Sequence, residues 1–229
     1  ERFHPPLFYL LLEYWMQLGE GEFFLRLPSA VLGSLCIPLV YILSKTLTDR
    51  SAAISAAGLA TLSPILVWYS QELRPYALLT LLGLIATLSA TKLFLEPTVG
   101  WWALFAVTTT AILYLHYFSV LFLPLQAVLL VVLLATQRTK GAAGLSWLAG
   151  WIVAVLAFWP WLQNPLAQGF WERLLRYSSG IFTRGLQLDV DLTSLGLVQV
   201  AIVVGIGFVC LLLCYWLVRW AHQKERLQS

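Results

Sequence analysis

The chain has 229 residues, of which 60% are hydrophobic and 11% charged, with a formal net charge of +3. A soluble domain carries about 25% charged residues, so water is not the solvent for this much apolar surface. In lipid every backbone polar group must be paired within the protein, which leaves helices or a closed barrel. The long unbroken apolar runs, without the alternation of barrel strands, select helices. The small net charge gives no basis for a nucleic-acid partner, and none is expected. Cys36, Cys210 and Cys214 lie inside apolar runs and read as small core side chains, not as a disulfide or zinc framework.

The expected fold is all-α: a polytopic integral membrane bundle of about seven transmembrane helices plus one outer interfacial helix. The chain opens on Glu1 with no signal-peptide pattern, so it reads as a single transmembrane domain, 1–229, of a protein whose N-terminal part is missing. Residues 1–26 form an outer interfacial segment. Within it 5–18 is short, aromatic-rich and interrupted by Glu13 and Gln17, which suits a helix lying in the interface. Six spans follow in 27–162, at 27–44, 52–69, 75–95, 100–115, 118–136 and 144–162, with His116-Tyr117 as the tight turn between the fourth and fifth. An outer loop (163–192), a last span (193–218) and a cytoplasmic tail (219–229) complete the chain. Trp68, Tyr69, Trp101, Trp102, Trp159 and Trp161, near span ends, fit an aromatic belt.

Orientation follows from the basic residues, which gather on the cytoplasmic side. Loops on one side hold Lys45, Lys92, Lys140 and Lys224, all four lysines, together with Arg50, Arg138, Arg219 and Arg226. The other side holds six arginines but eight of the eleven acids. The lysine-rich side is therefore cytoplasmic, and His4, Glu72 and His116 face outward. The location expected is the inner (cytoplasmic) membrane, multi-pass, with any chemistry on the outer face.

The polar residues of that face are few and concentrated. Tyr69-Ser-Gln-Glu-Leu-Arg-Pro-Tyr76 packs a carboxylate, a guanidinium, an amide and two phenols into a very short turn between two spans. Charge near the hydrocarbon boundary is costly unless paired, which marks the turn as a candidate site. The bland alternative is a solvated Glu72–Arg74 pair. His4 stands before two prolines that start the interfacial helix. Arg26 marks the outer entry to the first full span, where it either snorkels or holds a phosphate. His116 and Tyr117 lie in the third outer turn.

His4-Pro-Pro-Leu, Glu22-Phe-Phe-Leu-Arg-Leu-Pro-Ser, Tyr69-Ser-Gln-Glu-x-Arg-x-Tyr-Ala and Tyr114-x-His-Tyr-Phe, in this order with the right intervening spans, resemble the GT-C glycosyltransferases. They are similar to bacterial members of the dolichyl-phosphate-mannose–protein mannosyltransferase superfamily, which includes the lipid A aminoarabinose transferases. The resemblance covers about residues 1–165. It implies an inverting enzyme that takes a sugar from a polyprenyl-phosphate donor to a lipid, glycan or protein acceptor outside the cytoplasmic membrane, among the membrane lipids. It also implies an acidic residue in a first outer loop ahead of the His-Pro-Pro segment, of which only Glu1 remains here.

On that reading the acceptor hydroxyl needs a carboxylate base, and the phosphate leaving group needs cations or a metal. Arg74, Arg26 and His4 are the candidates for the phosphate, since guanidinium binds it in a bidentate way. Glu72 resembles the family's second acidic position, where it holds a metal, the acceptor or Arg74. The catalytic set is thus Glu72, Arg74 and His4, and the substrate-binding set Arg26, Gln71, Tyr76, His116 and Tyr117. The cofactor stays open: this chemistry is compatible with a divalent cation, and no metal ligands are assigned. Asp189-Val-Asp191 mimics a metal-binding pair but falls outside the resemblance, and Ser70 has no base partner for a nucleophilic role. Two other functions compete: a transporter subunit, which would put charge or helix breaks at mid-span, and a non-catalytic assembly protein.

Overall fold

A computed structural model describes residues 5–19, 21–136 and 141–163. The outer loop, the last span and the Asp189-Val-Asp191 pair lie outside these residues, as does His4. Every described element is helical: α1 (Leu7–Met16), α2 (Glu22–Leu47), α3 (Arg50–Thr61), α4 (Pro64–Gln71), α5 (Tyr76–Leu95), α6 (Val99–Leu113), a 3₁₀ turn (Tyr117–Leu121), α7 (Phe122–Thr136) and α8 (Gly141–Leu162). The all-α membrane class read from composition holds.

Local sequence explains where the helices start and stop. Glu22 in the first turn of α2 and Lys45 in its last complement the helix dipole. The Asp49 side chain accepts from the Ala52 N–H at 2.8 Å and caps α3. The Thr98 hydroxyl caps α6 in the same way, accepting from Trp101. Serine and threonine hydroxyls inside the apolar helices donate back to the carbonyl four residues earlier, as Ser34 does to Ala30 and Thr91 to Thr87, both at 2.8 Å. This hides a polar group that lipid would not solvate.

Among the described residues three helices are long and apolar enough to cross a bilayer: Glu22–Leu47, Tyr76–Leu95 and Gly144–Leu162. The expected crossing 52–69 is not one helix. It divides into α3 and α4, bent by 52°. The cause is Ser63-Pro64: proline disfavours helical backbone in the residue before it, so Ser63 is extended and becomes the N-cap of a new helix with proline in its first turn. Counted as one broken span, the pair makes a fourth crossing. The expected spans 100–115 and 118–136 appear as α6 and α7, of 15 residues each. Such a helix rises ~22 Å, against the ~30 Å hydrocarbon core. The chain does break at His116, between them. α1 has ten residues, a rise of ~15 Å that cannot cross.

The chain forms two compact units. The described part of the larger is 5–122 with 141–159, and that of the other is 123–136 with 160–163. In the smaller unit Gln126, Leu130 and Leu133 are buried. In the larger, α5 is the central helix and packs on both α2 and α6. Its Ala86, Ala90, Leu93 and Phe94 are buried, as are Phe105, Ile112 and Leu113 of α6 and Trp147, Ala154 and Phe158 of α8. Small residues set the spacing, as expected where lipid supplies no hydrophobic drive between helices. A Cβ on Gly150 would stand 2.7 Å from the Phe105 ring. The Trp147 indole, fully buried, donates to the Ala90 carbonyl at 2.9 Å. Trp102 turns its indole N–H to the Ser146 carbonyl at 3.2 Å.

Candidate functional site

The α4–α5 turn is placed by α2. Gly33 of α2 faces Ser70 so closely that a Cβ there would lie 2.5 Å from the serine Cβ. Only glycine lets α4 seat at this depth. Higher on α2, Arg26 spans the gap: one guanidinium nitrogen donates to the Gln71 carbonyl at 3.2 Å, and the other pairs with Glu22 at 2.7 Å. The Gln71 carbonyl lies in the last turn of α4, where helical carbonyls lack partners of their own. The arginine therefore ties the end of α4 to α2 and fixes where the turn begins.

Glu72 is the C-cap of α4, with extended backbone (φ −95°, ψ 144°), and Pro75 stands before α5. The Glu72 carboxylate is held from two sides. Its Oε1 accepts the Trp68 indole N–H at 2.8 Å. Its Oε2 lies 3.8 Å from Arg74 Nε, an ion-pair distance too long for a hydrogen bond. Arg26, Trp68, Gln71, Glu72, Leu73 and Arg74 together line an open depression of about 400 Å³.

A second depression of about 270 Å³ adjoins it through two shared residues, Leu73 and Arg74. Apart from Arg74 its wall is almost wholly apolar, drawn from α1 (Phe8, Leu11, Leu12), α2 (Leu25, Leu32) and Leu78 of α5, with Trp15 closing one side. Trp15 is locked there by stacking on Phe24 at 4.5 Å and by donating to the Phe24 carbonyl at 2.9 Å. Arg74 thus stands where a polar hollow meets a greasy one. A larger depression, about 540 Å³, is elsewhere, among α1, α6 and α8. It has no charged residue in its wall, so volume alone does not find the chemistry.

The structure sorts the residues expected from the sequence into groups. Glu72, Arg74, Arg26 and Gln71 share the polar depression. Tyr76 and His116 do not line it. They belong to an aromatic row in which Tyr69 and Tyr76 are 4.5 Å apart, and Tyr76 and His116 6.3 Å, between ring centres. His4 and the Tyr117 side chain lie outside the described residues; the Tyr117 backbone opens the 3₁₀ turn. Among the described residues no three His, Cys, Asp or Glu side chains gather to hold a metal. Trp68 and Gly33 were missed by sequence reasoning. A signal for the first was present, since Trp68 and Glu72 are four residues apart, the spacing at which side chains meet along a helix. For Gly33 no local signal exists.

The family model for dolichyl-phosphate-mannose-protein mannosyltransferase matches residues 3–163, which is 161 of the 229 residues. The chain belongs to that family. The match runs through every described helix and includes the whole turn from Tyr69 to Tyr76. No curated protein and no solved structure matches, so the family model carries the assignment. Membership indicates a membrane glycosyltransferase of GT-C type, working among lipids with a lipid-linked sugar and an acceptor.

Proposed function

We propose that the full protein transfers a sugar from a polyprenyl-phosphate donor to an acceptor hydroxyl at the outer face of the cytoplasmic membrane. The observation that carries this reading is the junction at Arg74. A polar hollow with two guanidinium groups and an apolar groove share Arg74 in their walls, and a polyprenyl phosphate has this same division between headgroup and tail.

In the reaction the acceptor oxygen bonds to the anomeric carbon as the bond from that carbon to the phosphate oxygen breaks. The acceptor proton passes to a carboxylate base, and the polyprenyl phosphate departs with the bonding pair. Arg74 and Arg26 answer the charge growing on the phosphate, and guanidinium suits that oxygen geometry. Glu72 holds Arg74 or the acceptor in place. His4 also serves the phosphate, and Gln71, Tyr76, His116 and Tyr117 meet the sugar or acceptor. The main carboxylate base belongs to the first outer loop implied by the family resemblance.

The transporter reading has one observation in its favour, the broken α3–α4 pair. The residues around that break, 58–67, include no Asp, Glu, Lys or Arg, whereas an ion or polar-substrate site at mid-membrane uses polar or charged groups. The charges gather at the end of α4 instead, which favours surface chemistry.

Two measurements test the proposal. With the native cysteines replaced, a cysteine at position 72 should react with an impermeant thiol reagent added outside intact cells, and one at position 140 should not. Reaction at 140 from outside reverses the orientation. In proteoliposomes, the full-length protein should release polyprenyl phosphate from polyprenyl-phosphate mannose or an aminopentose analogue when envelope membranes are supplied as acceptor. Transport of solute without sugar transfer overturns the function.

A further inference from the structure

We infer that Trp68 is a positioning residue, whose indole N–H pins one oxygen of Glu72 so that the other is presented toward Arg74 in the polar depression. This deepens the proposed function and rests on it.

The geometry is built from the helix upward. Trp68 lies in the last turn of α4 and Glu72, four residues on, is the C-cap of that helix, so the indole is within reach of the carboxylate. Glu72 has already left the helix, with extended backbone, so the helix itself does not orient its side chain. The indole does: its Nε1 stands 2.8 Å from Oε1. A neutral donor on a carboxylate is a charge-assisted hydrogen bond, among the stronger kinds. With Oε1 occupied, Oε2 is the oxygen that faces Arg74, at 3.8 Å. That separation leaves Oε2 able to accept from a substrate hydroxyl while still polarised by the guanidinium.

The helix that carries Trp68 is held at two points. α4 is seated against Gly33, and its end is tied by Arg26. A carboxylate meant to act at a fixed place needs support of this kind, because small misplacements at a site are expensive.

The competing role for Trp68 is membrane anchoring. The ring is 66% exposed, and exposed indoles are common at the membrane interface. Anchoring needs the ring but not an N–H aimed at one carboxylate oxygen. The two roles separate when the N–H alone is removed.

The test uses the full-length protein in lipid nanodiscs. The first readout needs no substrate. With ¹⁵N-labelled tryptophan, the Trp68 indole resonance, assigned by its loss in Trp68→Phe, should move upfield in Glu72→Ala while those of the other tryptophans stay in place. An unmoved Trp68 resonance overturns the contact and the inference with it.

The second readout is the initial rate with polyprenyl-phosphate mannose as donor and envelope membranes as acceptor. Trp68→Phe should lower kcat about fivefold to tenfold with donor KM within about twofold, the size of one ordinary net hydrogen bond lost from the positioning of Glu72. A benzothienyl isostere at 68, with sulfur in place of N–H, should match Trp68→Phe. Trp68→His, which keeps a ring donor, should recover part of the loss. In a Glu72→Gln background Trp68→Phe should cost less than about twofold, since coupled groups are not additive. A benzothienyl variant with normal kcat overturns the inference. So does equal loss in Trp68→His and Trp68→Phe. If the wild type uses neither donor analogue, the functional reading fails, and the indole resonance still decides whether Trp68 holds Glu72.

Discussion

Two tryptophans make the same kind of bond in opposite settings. Trp147 is 0% exposed and gives its indole N–H to the Ala90 backbone carbonyl at 2.9 Å. Trp68 is 66% exposed and gives its N–H to the Glu72 carboxylate at 2.8 Å. In the core of α5, α6 and α8 the bond is a condition of packing: a large ring enters a close-packed space only if its one polar atom finds a partner. At the end of α4 little packing depends on the ring. There the bond settles which way a charge points. Nearly equal lengths thus go with different contributions, one to packing and one, on the proposed reading, to the orientation of Glu72.

The largest expected effect is in the core. Trp147→Ala should lose ~3–5 kcal/mol of stability through the cavity it leaves, read as a drop in unfolding midpoint in mild detergent. A loss under ~1 kcal/mol would remove the contrast with Trp68, whose replacement by phenylalanine should leave that midpoint almost unchanged.

The next effect belongs to the phosphate side of the site. Arg74→Ala in the full-length enzyme should lower kcat/KM for a polyprenyl-phosphate donor ~10–100-fold, the loss expected when a charged partner of the transition state is removed. Arg74→Lys should restore only part of it, because a lysine supplies the charge without the planar fork. Equal activity of the two variants would reduce Arg74 to a point charge.

Gly33→Ala sharpens the comparison by disturbing the site without touching a charge. The added methyl meets Ser70 at 2.5 Å, so α4 must shift, at ~1–3 kcal/mol for overpacking. The turnover number should fall in step with the displacement of Glu72, and Gly33→Ala should also move the Trp68 indole resonance. An active, equally stable variant would show that α4 is not held where α2 places it.

The smallest effect concerns the rim. Glu22→Gln breaks the exposed pair with Arg26, which as an i, i+4 helix pair contributes only ~0.2–0.5 kcal/mol. Stability should barely change. The bond from Arg26 to the Gln71 carbonyl should survive, so transfer should stay within about twofold of wild type, a size at which lost interactions go unnoticed. A large loss would mean that Glu22, not the carbonyl, is what orients Arg26.

Several features follow from the sequence because their causes are short-range. The apolar runs make the helices, since a backbone in lipid must pair with itself. Asp49 and Thr98 cap the helices that they precede. The cluster Gln71-Glu72-x-Arg74 singles out the turn between α4 and α5 as a candidate site, because charge near the hydrocarbon boundary is costly unless paired. The break at Ser63-Pro64 was also legible as a cap followed by proline, but an average of hydropathy over the run conceals it.

Other features needed the fold, because they join residues far apart in sequence. Nothing local to Gly33 announces Ser70, 37 residues on, yet their contact sets the depth of α4. The meeting of the polar hollow with an apolar groove assembles α1, α2, the α4–α5 turn and α5 around Arg74. Tyr76 and His116 share the outer end with Glu72 in sequence terms, but the structure places them in an aromatic row outside its hollow. Periodicity and composition determine which segments are helices and which end carries charge; the direction in which each helix presents its side chains, and so which groups share one cavity, is fixed only when the helices pack.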